Sequence, residues 1–323
     1  MNISSAVLDE PRSRTRPHPL EGLGGVAWVA ALLMVALATL FRGGNRSVAL
    51  MALEALALVI LLGWAWRALG VQGLPPALGV GRWRAASLAL AAAPVWVAAT
   101  QLLPWPGGGA LSATPLATAH ALLDSLPVVA CFLVALSGSA AQVQTLLRLW
   151  LWVAVAQAAL GLLQLGGFDA LYFGMDGAEP VIGSYASKNT YANLLAMAVP
   201  LAVLGLWGAS ARQRRSSRER RSPWWGALAL LTLLAAAMAS TSRTGIATAL
   251  LVALLALALL APARDSAAGG RGRWSSADRL AVACGLGLLA TLLHAWVDYP
   301  FRIPANAMPV SYTHLTLPTN REV

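Results

Sequence analysis

The feature that most constrains this chain is a series of apolar runs, each about as long as a helix must be to cross a bilayer. Such a helix needs roughly 20 apolar residues. Hydrophobic residues make up 58% of the chain and charged residues 11%, which excludes an ordinary soluble globule. The pattern predicts an all-α fold, a polytopic integral membrane helical bundle with the N-terminus in the cytoplasm. The nine predicted spans cover residues 22–41, 48–66, 85–103, 123–137, 143–165, 189–209, 224–240, 244–261 and 280–297.

The basic residues are distributed as a membrane topology requires. The formal net charge is +10, which by itself would suit a nucleic-acid partner. With the N-terminus inside, however, 17 of the 23 Lys and Arg residues fall in cytoplasmic segments and 6 fall outside, as the positive-inside rule demands. We therefore expect membrane lipids, and no nucleic acid, as partners. The six outside residues are Arg42, Arg46, Lys188, Arg243, Arg302 and Arg321.

The stretch GSYASKNTYANLLAMAVP, residues 183–200, leads a polar segment directly into an apolar helix. Its Lys188 is the only lysine in the chain. Asn189 is suited to cap the helix that follows, and Asn193, four residues on, shares a helix face with it. A helix N-terminus beside an ammonium group is suited to bind an anion. The alternative is a capped membrane helix with an interfacial lysine.

The stretch STSRTG, residues 240–245, forms a tight turn between the seventh and eighth predicted spans. Few residues separate Arg243 from the membrane face, so its side chain has two roles open to it. It can extend to the interface, as long basic side chains do. It can also bind a diphosphate with two parallel hydrogen bonds, which lysine does poorly.

The ninth predicted span ends in HAWVDYPFRIP, residues 294–304. His294 and Asp298 are four residues apart and face each other if the helix continues to Asp298. A carboxylate that orients an imidazole is an arrangement used in acid–base catalysis. A structural hydrogen-bonded pair is the alternative.

Further ionisable residues occur within or beside the early spans. Glu54 lies inside the second span, where a carboxylate is costly and faces protein or water. His120 and Asp124 are four apart and lie at the predicted start of the fourth span. These positions suit either a structural pair whose polar groups are hydrogen-bonded or a pair with a catalytic role.

Both ends of the chain differ from its middle. Residues 1–21 are polar and predict a cytoplasmic tail. Residues 310–323 begin with VSYTHL, which resembles a translated transposase sequencing adapter. We expect this tail to be non-native and to pack against nothing, with the natural chain continuing differently beyond Met308. The predicted transmembrane domain is residues 22–309. The two cysteines, Cys131 and Cys284, fall inside spans and predict packing roles.

Together, the three stretches 183–200, 240–245 and 294–304 resemble the O-antigen ligase and O-antigen polymerase family of bacterial envelope proteins. The resemblance covers roughly residues 120–308. It implies a multi-pass protein of the bacterial inner membrane, acting on glycans linked to undecaprenyl diphosphate at the periplasmic face. The glycan acceptor would be lipid A–core, another lipid-linked repeat or a protein. It implies no metal and no nucleotide cofactor.

The resemblance gives Arg243 the position of the family arginine that follows a serine of the seventh span. Its expected role is stabilisation of the diphosphate leaving group. We expect a catalytic group made of Arg243, His294 and Asp298. We expect a substrate-binding group made of Lys188, Asn189, Asn193 and Arg302.

One segment departs from the family pattern. Family members carry a large periplasmic loop, with a further arginine and a catalytic histidine, before their final helices. Here residues 262–279 form a short basic connection instead. The chain is then either a divergent relative or an internally deleted copy. The alternatives to a glycan transferase are a secondary transporter or flippase, and an inactive truncated family member.

Overall fold

The structure is a computed structural model, and it describes residues 25–40, 47–69, 82–105, 109–168, 181–213, 224–261 and 276–296. Nine α-helices follow one another within these ranges. They are α1 (Gly25–Ala38), α2 (Ser47–Leu69), α3 (Arg82–Leu102), α4 (Pro115–Ser137), α5 (Ala140–Leu165), α6 (Lys188–Gln213), α7 (Trp224–Ala239), α8 (Arg243–Leu260) and α9 (Ser276–Ala295). Between α3 and α4, the two-residue strands β1 (Pro104–Trp105) and β2 (Gly109–Ala110) pair antiparallel. Apart from this short ladder, the described fold is helical, as predicted.

Each predicted span corresponds to one of these helices. Six of them, α2, α4, α5, α6, α8 and α9, are long and apolar enough to cross a membrane. The helices α1 and α7 are apolar but have only 14 and 16 residues, and α3 is not among the six. These helices indicate a multi-pass membrane protein. Further crossings and the side of the N-terminus stay predictions.

The fourth span is longer than the sequence predicted. The expected helix covered residues 123–137, whereas α4 has 23 residues and begins at Pro115. Proline is well accepted in a first helical turn, because the N–H that it lacks would have no partner there. Pro127 also lies within the helix. His120 and Asp124 therefore lie inside α4, and their predicted place at its start is wrong.

The helix α6 lies at the centre of the bundle. In the apolar part of α6 that could cross a membrane, 78% of the residues are buried, against at most 44% in the other five candidate spans. It packs against α5, α7, α8 and α9, and α8 also packs against α9. The helix α1 joins α2 and α4 to this group through its contact with α5. The residues around the start of α6 are therefore held from several sides.

Several predictions lie outside the described residues. They concern the tails 1–21 and 310–323, most of the connection 262–279, and the side chains of Asp298 and Arg302.

Candidate functional site

The helices α6 and α8 run parallel and begin side by side. Ser242 Oγ donates a hydrogen bond to Asn189 Oδ1 at 2.9 Å. One turn further along, Gly245 lies so close to Ala192 that a Cβ at Gly245 would overlap the alanine methyl group. In each contact the α8 residue lies 53 positions after its partner on α6. Because this separation stays constant along the two helices, they run parallel. The N-termini of the two helices therefore meet at one end of the bundle, called here the α6/α8 end.

A basic residue begins each of these helices, Lys188 on α6 and Arg243 on α8. The Arg243 side chain is exposed and that of Lys188 is partly buried. The N-terminus of a helix carries partial positive charge from its unpaired N–H groups, so a cation is unfavourable there and an anion is favourable. Two such termini and two basic residues at one end of the bundle concentrate positive potential. The arrangement is suited to a multiply charged anion.

The cap of α6 differs from the expected one. The first helical backbone bond runs from Tyr191 N to Ser187 O at 3.1 Å, and Ser187 Oγ accepts from Asn189 N at 3.2 Å. Ser187, not Asn189, is therefore the capping residue, and the prediction for Asn189 is wrong. Its side-chain oxygen instead receives the hydroxyl of Ser242, which in turn caps α8 by accepting from Gly245 N at 3.2 Å.

Asn193 lies one turn deeper in α6 and is fully buried. Its Nδ2 contacts Met197 Sδ at 3.6 Å, and its Oδ1 has no hydrogen-bond partner among the described residues. As expected from the spacing, it follows Asn189 on the same helix face. Its predicted contact with substrate stays a prediction.

His294 lies on α9 and faces α6. A Cβ at Gly287 of α9 would stand 3.0 Å from Met197 O, so these two residues are level. His294 lies two turns beyond Gly287 on the same face of α9. His294 is fully buried there. Its expected pairing with Asp298 involves a residue outside the described part of the chain.

The segment that leads into α6 is held by two glutamines of α5. Gln164 Nε2 donates to Gly183 O at 2.7 Å, and Gln164 Oε1 accepts from Ile182 N at 3.1 Å and Gly183 N at 2.9 Å. Gln157 Oε1 accepts from Ser184 N at 3.0 Å. We call this arrangement of Gln157 and Gln164 around residues 182–184 the glutamine clamp.

The clamp also reaches α1. Gln157 Nε2 donates to Thr39 O at 3.0 Å, and Ser184 Oγ contacts the same carbonyl. Tyr191 of α6 donates to Gln157 O at 3.1 Å. One buried hydrogen-bonded network thus connects α1, α5, the segment before α6 and α6 itself.

Tyr185, within the same segment, is fully buried. Its hydroxyl has no hydrogen-bond partner in the part of the chain that the structure describes, and its ring lies 6.2 Å from that of Tyr191, between centroids. Burial, and to a lesser extent Tyr191, raises the pKa of Tyr185 above its usual range. Burial therefore disfavours the ionised form of this hydroxyl.

A second group of ionisable residues lies elsewhere, between α2 and α4. Glu54 of α2 lies close enough to Asp124 and His120 of α4 to interact with both electrostatically. The sequence placed these residues in separate spans, and the packing of α2 on α4 brings them together.

The structure thus brings together the starts of α6 and α8, which carry Lys188, Asn189 and Arg243, and it buries Asn193 and His294. Sequence reasoning missed the roles of Ser242, Gln157 and Gln164. A signal for the last two was present, because Gln157, Gly161 and Gln164 lie on one helical face and residues 149–165 are otherwise apolar. Amide side chains inside such a span indicate polar contacts within the bundle.

No family model, curated protein or solved structure matches the chain.

Proposed function

We propose that the protein is an inner-membrane glycan transferase of the O-antigen ligase or polymerase type. It moves a glycan from undecaprenyl diphosphate to lipid A–core or another acceptor, and the α6/α8 end faces the periplasm. The proposal rests on the three stretches that resemble this family and on the geometry at the start of α6 and α8. A bundle of apolar helices is the setting that a lipid-linked substrate requires.

The observation that carries the proposal is the hydrogen bond between Ser242 and Asn189. It joins the helix N-termini whose first residues are Lys188 and Arg243, although 53 residues separate its own two partners in sequence. The site is thereby preorganised, since the positive groups are positioned before a ligand arrives. Preorganised charge is most effective where negative charge develops in the transition state.

The proposed reaction is a displacement at the anomeric carbon. An acceptor hydroxyl oxygen forms the new bond to that carbon, the bond to the phosphate oxygen breaks, and undecaprenyl diphosphate leaves with the bonding electrons. The hydroxyl proton passes to a base. Arg243 binds the departing diphosphate with two parallel N–H groups, and Lys188 supplies a second positive charge. Asn189 and the N–H groups at the start of α6 complete the binding of the anion.

Substitution of Arg243 tests this assignment. The chain is expressed in cells that make a lipid-linked glycan but lack their own transferase, and the envelope glycan ladder is measured at matched membrane levels. Arg243→Ala is expected to reduce transfer by a factor of about 10²–10³, on the scale of an oxyanion-stabilising donor. Arg243→Lys should restore little, because lysine lacks the planar pair of donors.

The matched control is Arg148→Ala, which removes an exposed arginine from α5. It should leave transfer unchanged. Near-wild-type transfer by Arg243→Ala would contradict the role of Arg243 in binding the diphosphate. Lack of transfer by the wild-type chain at a normal membrane level would favour the inactive truncated form.

The group formed by Glu54, Asp124 and His120 favours a second candidate, a secondary transporter. Paired ionisable groups between membrane helices are typical of proton-coupled transport. Under this alternative, Glu54→Gln and Asp124→Asn would abolish proton-coupled uptake or lipid flipping in proteoliposomes, and Arg243→Ala would not. Under the transferase proposal, the two carboxyl variants keep the glycan ladder.

A further inference from the structure

The segment from Val181 to Tyr185 is not helical, yet all five of its residues are buried. Backbone N–H and C=O groups that are buried in a membrane protein must find partners within the protein, because unpaired groups cost several kcal/mol. Helices satisfy such groups internally, and an irregular segment cannot. The segment is therefore stable at this place only because other residues supply the partners.

The glutamine clamp supplies those partners. Gln164 satisfies two N–H groups and one carbonyl with a single amide, and Gln157 satisfies the N–H of Ser184. Both glutamines are themselves buried. A primary amide has one acceptor oxygen and two donor hydrogens, so it can pair with a peptide group much as another peptide does.

Two glycines let the segment approach α5 this closely. Gly183 has φ of +58°, a conformation that favours glycine, and a Cβ there would stand 2.7 Å from Gln157 Oε1. Gly161 lies between the two glutamines on α5, where a Cβ would overlap the Tyr191 hydroxyl and stand 2.9 Å from Val181 Cγ1. The surface of α5 is thus shaped as well as hydrogen-bonded to fit residues 181–184.

The clamp ends close to the proposed anion site. Ser184, its last member, is followed three residues later by Ser187, which caps α6, and then by Lys188. A chain fixed at Ser184 leaves the first turn of α6 little freedom to fray or shift. Helix ends fray readily unless they are held.

We infer that Gln157 and Gln164 are positioning residues, which act through residues 182–184 to fix the first turn of α6 against the first turn of α8. They touch no substrate. Their effect is to hold Lys188 and Asn189 at the distance from Arg243 that a diphosphate requires. The inference rests on the proposed function for that ligand, whereas the positioning itself is measurable without it.

A disulfide test measures the positioning directly. Cysteines replace Asn189 and Ser242, whose side chains touch, in a chain whose buried native cysteines, Cys131 and Cys284, are changed to alanine. The rate of disulfide formation reports how often the two helix starts meet in register, because the bond tolerates only a narrow geometry. With the clamp intact, we expect rapid closure.

Loss of the clamp should slow this reaction by about tenfold in the double variant Gln157→Leu and Gln164→Leu. Gln164→Glu is expected to restore much of the rate. Burial favours the neutral carboxyl group, which keeps an acceptor oxygen for Ile182 N and Gly183 N and an O–H donor for Gly183 O. The matched control is Gln144→Leu, which changes an exposed glutamine of α5. If the double variant does not accumulate in the membrane, the single Gln164→Leu and Gln164→Glu variants provide the same comparison.

A second measurement connects the clamp to the ligand. Titration of the purified chain with inorganic pyrophosphate, in the background with native Asn189 and Ser242, should show affinity falling about tenfold in clamp variants and recovering in Gln164→Glu. A purely structural role would lower thermal stability without changing the affinity of the folded fraction.

An unchanged disulfide rate in folded clamp variants, or unchanged pyrophosphate affinity, would overturn the inference. If the wild-type chain binds no pyrophosphate, the proposed function fails, and the disulfide rate still decides whether the clamp positions α6.

Discussion

Ser242 Oγ stands 2.9 Å from Asn189 Oδ1 and donates a hydrogen bond to it, which joins the first turns of α6 and α8. The same hydroxyl accepts from Gly245 N at the start of α8. Ser242 therefore caps its own helix and fixes it to the neighbouring one. Since Lys188 and Arg243 are the adjacent residues in sequence, this contact sets where the two positive charges lie.

A double-mutant cycle measures the contact. Ser242→Ala loses the cap, at a cost of about 1 kcal/mol, and also loses the bond to Asn189. Asn189→Ala loses only the latter. We expect a coupling free energy of about 1 kcal/mol between the two changes, measured by unfolding in detergent. The exposed Thr145 is a control, because Thr145→Ala should show no coupling with Asn189→Ala. Additive effects of Ser242→Ala and Asn189→Ala would contradict the hydrogen bond.

A glycine pair tests the close packing of α8 on α6. Alanine in place of a helical glycine ordinarily stabilises by about 0.5–1 kcal/mol. At Gly245 the added methyl group would overlap Ala192, so we expect Gly245→Ala to destabilise by about 1–3 kcal/mol instead. At Gly285 of α9 the added atom meets nothing within 4 Å, and Gly285→Ala should be neutral or stabilising. Unfolding midpoints compare the two, and equal shifts would show that α6 and α8 are not this close.

The helices could be predicted because most of their apolar runs are about as long as a helix that crosses a bilayer. Each of the nine expected spans has a helix, and the error at α4 has a physical origin. Residues 115–122 include Pro115, Thr118 and His120, which the apolar pattern does not favour. The helix begins with Pro115 in its first turn, and Thr118 N donates to Thr114 O at 3.0 Å.

The residues of the candidate site could be predicted from the sequence, but the way in which their helices pack together could not. The motifs that contain Lys188 and Arg243 are recognisable from local sequence, and the parallel packing of their helices is not. Ser242 received no role, since its partner is 53 residues away. The clamp was missed for a similar reason. Gln157 and Gln164 find their hydrogen-bond partners only when residues 182–184 fold back against α5.

The orientation of the bundle is testable by cysteine labelling. Thr241 is exposed in the turn between α7 and α8. The positive-inside asymmetry predicts that this turn lies in the periplasm. Thr241→Cys should therefore react with a membrane-impermeant thiol reagent applied to whole cells. Ser217→Cys, in the basic stretch after α6, should react only after the membrane is opened. Labelling of Ser217→Cys in intact cells would overturn the proposed topology.

The role of His294 is decided by two substitutions that differ in size. His294 is fully buried on the face of α9 that packs against α6, so a base at this position would have no access to an acceptor hydroxyl in this conformation. We expect His294→Ala to destabilise by about 2–4 kcal/mol, as other large-to-small changes in a core do. His294→Gln, which keeps most of the volume and hydrogen-bonding capacity, should restore both stability and glycan transfer. The control on the same helix is the exposed Leu292, where substitution by alanine should change stability little. A His294→Gln protein that is as stable as wild type but transfers no glycan would instead identify His294 as the catalytic base.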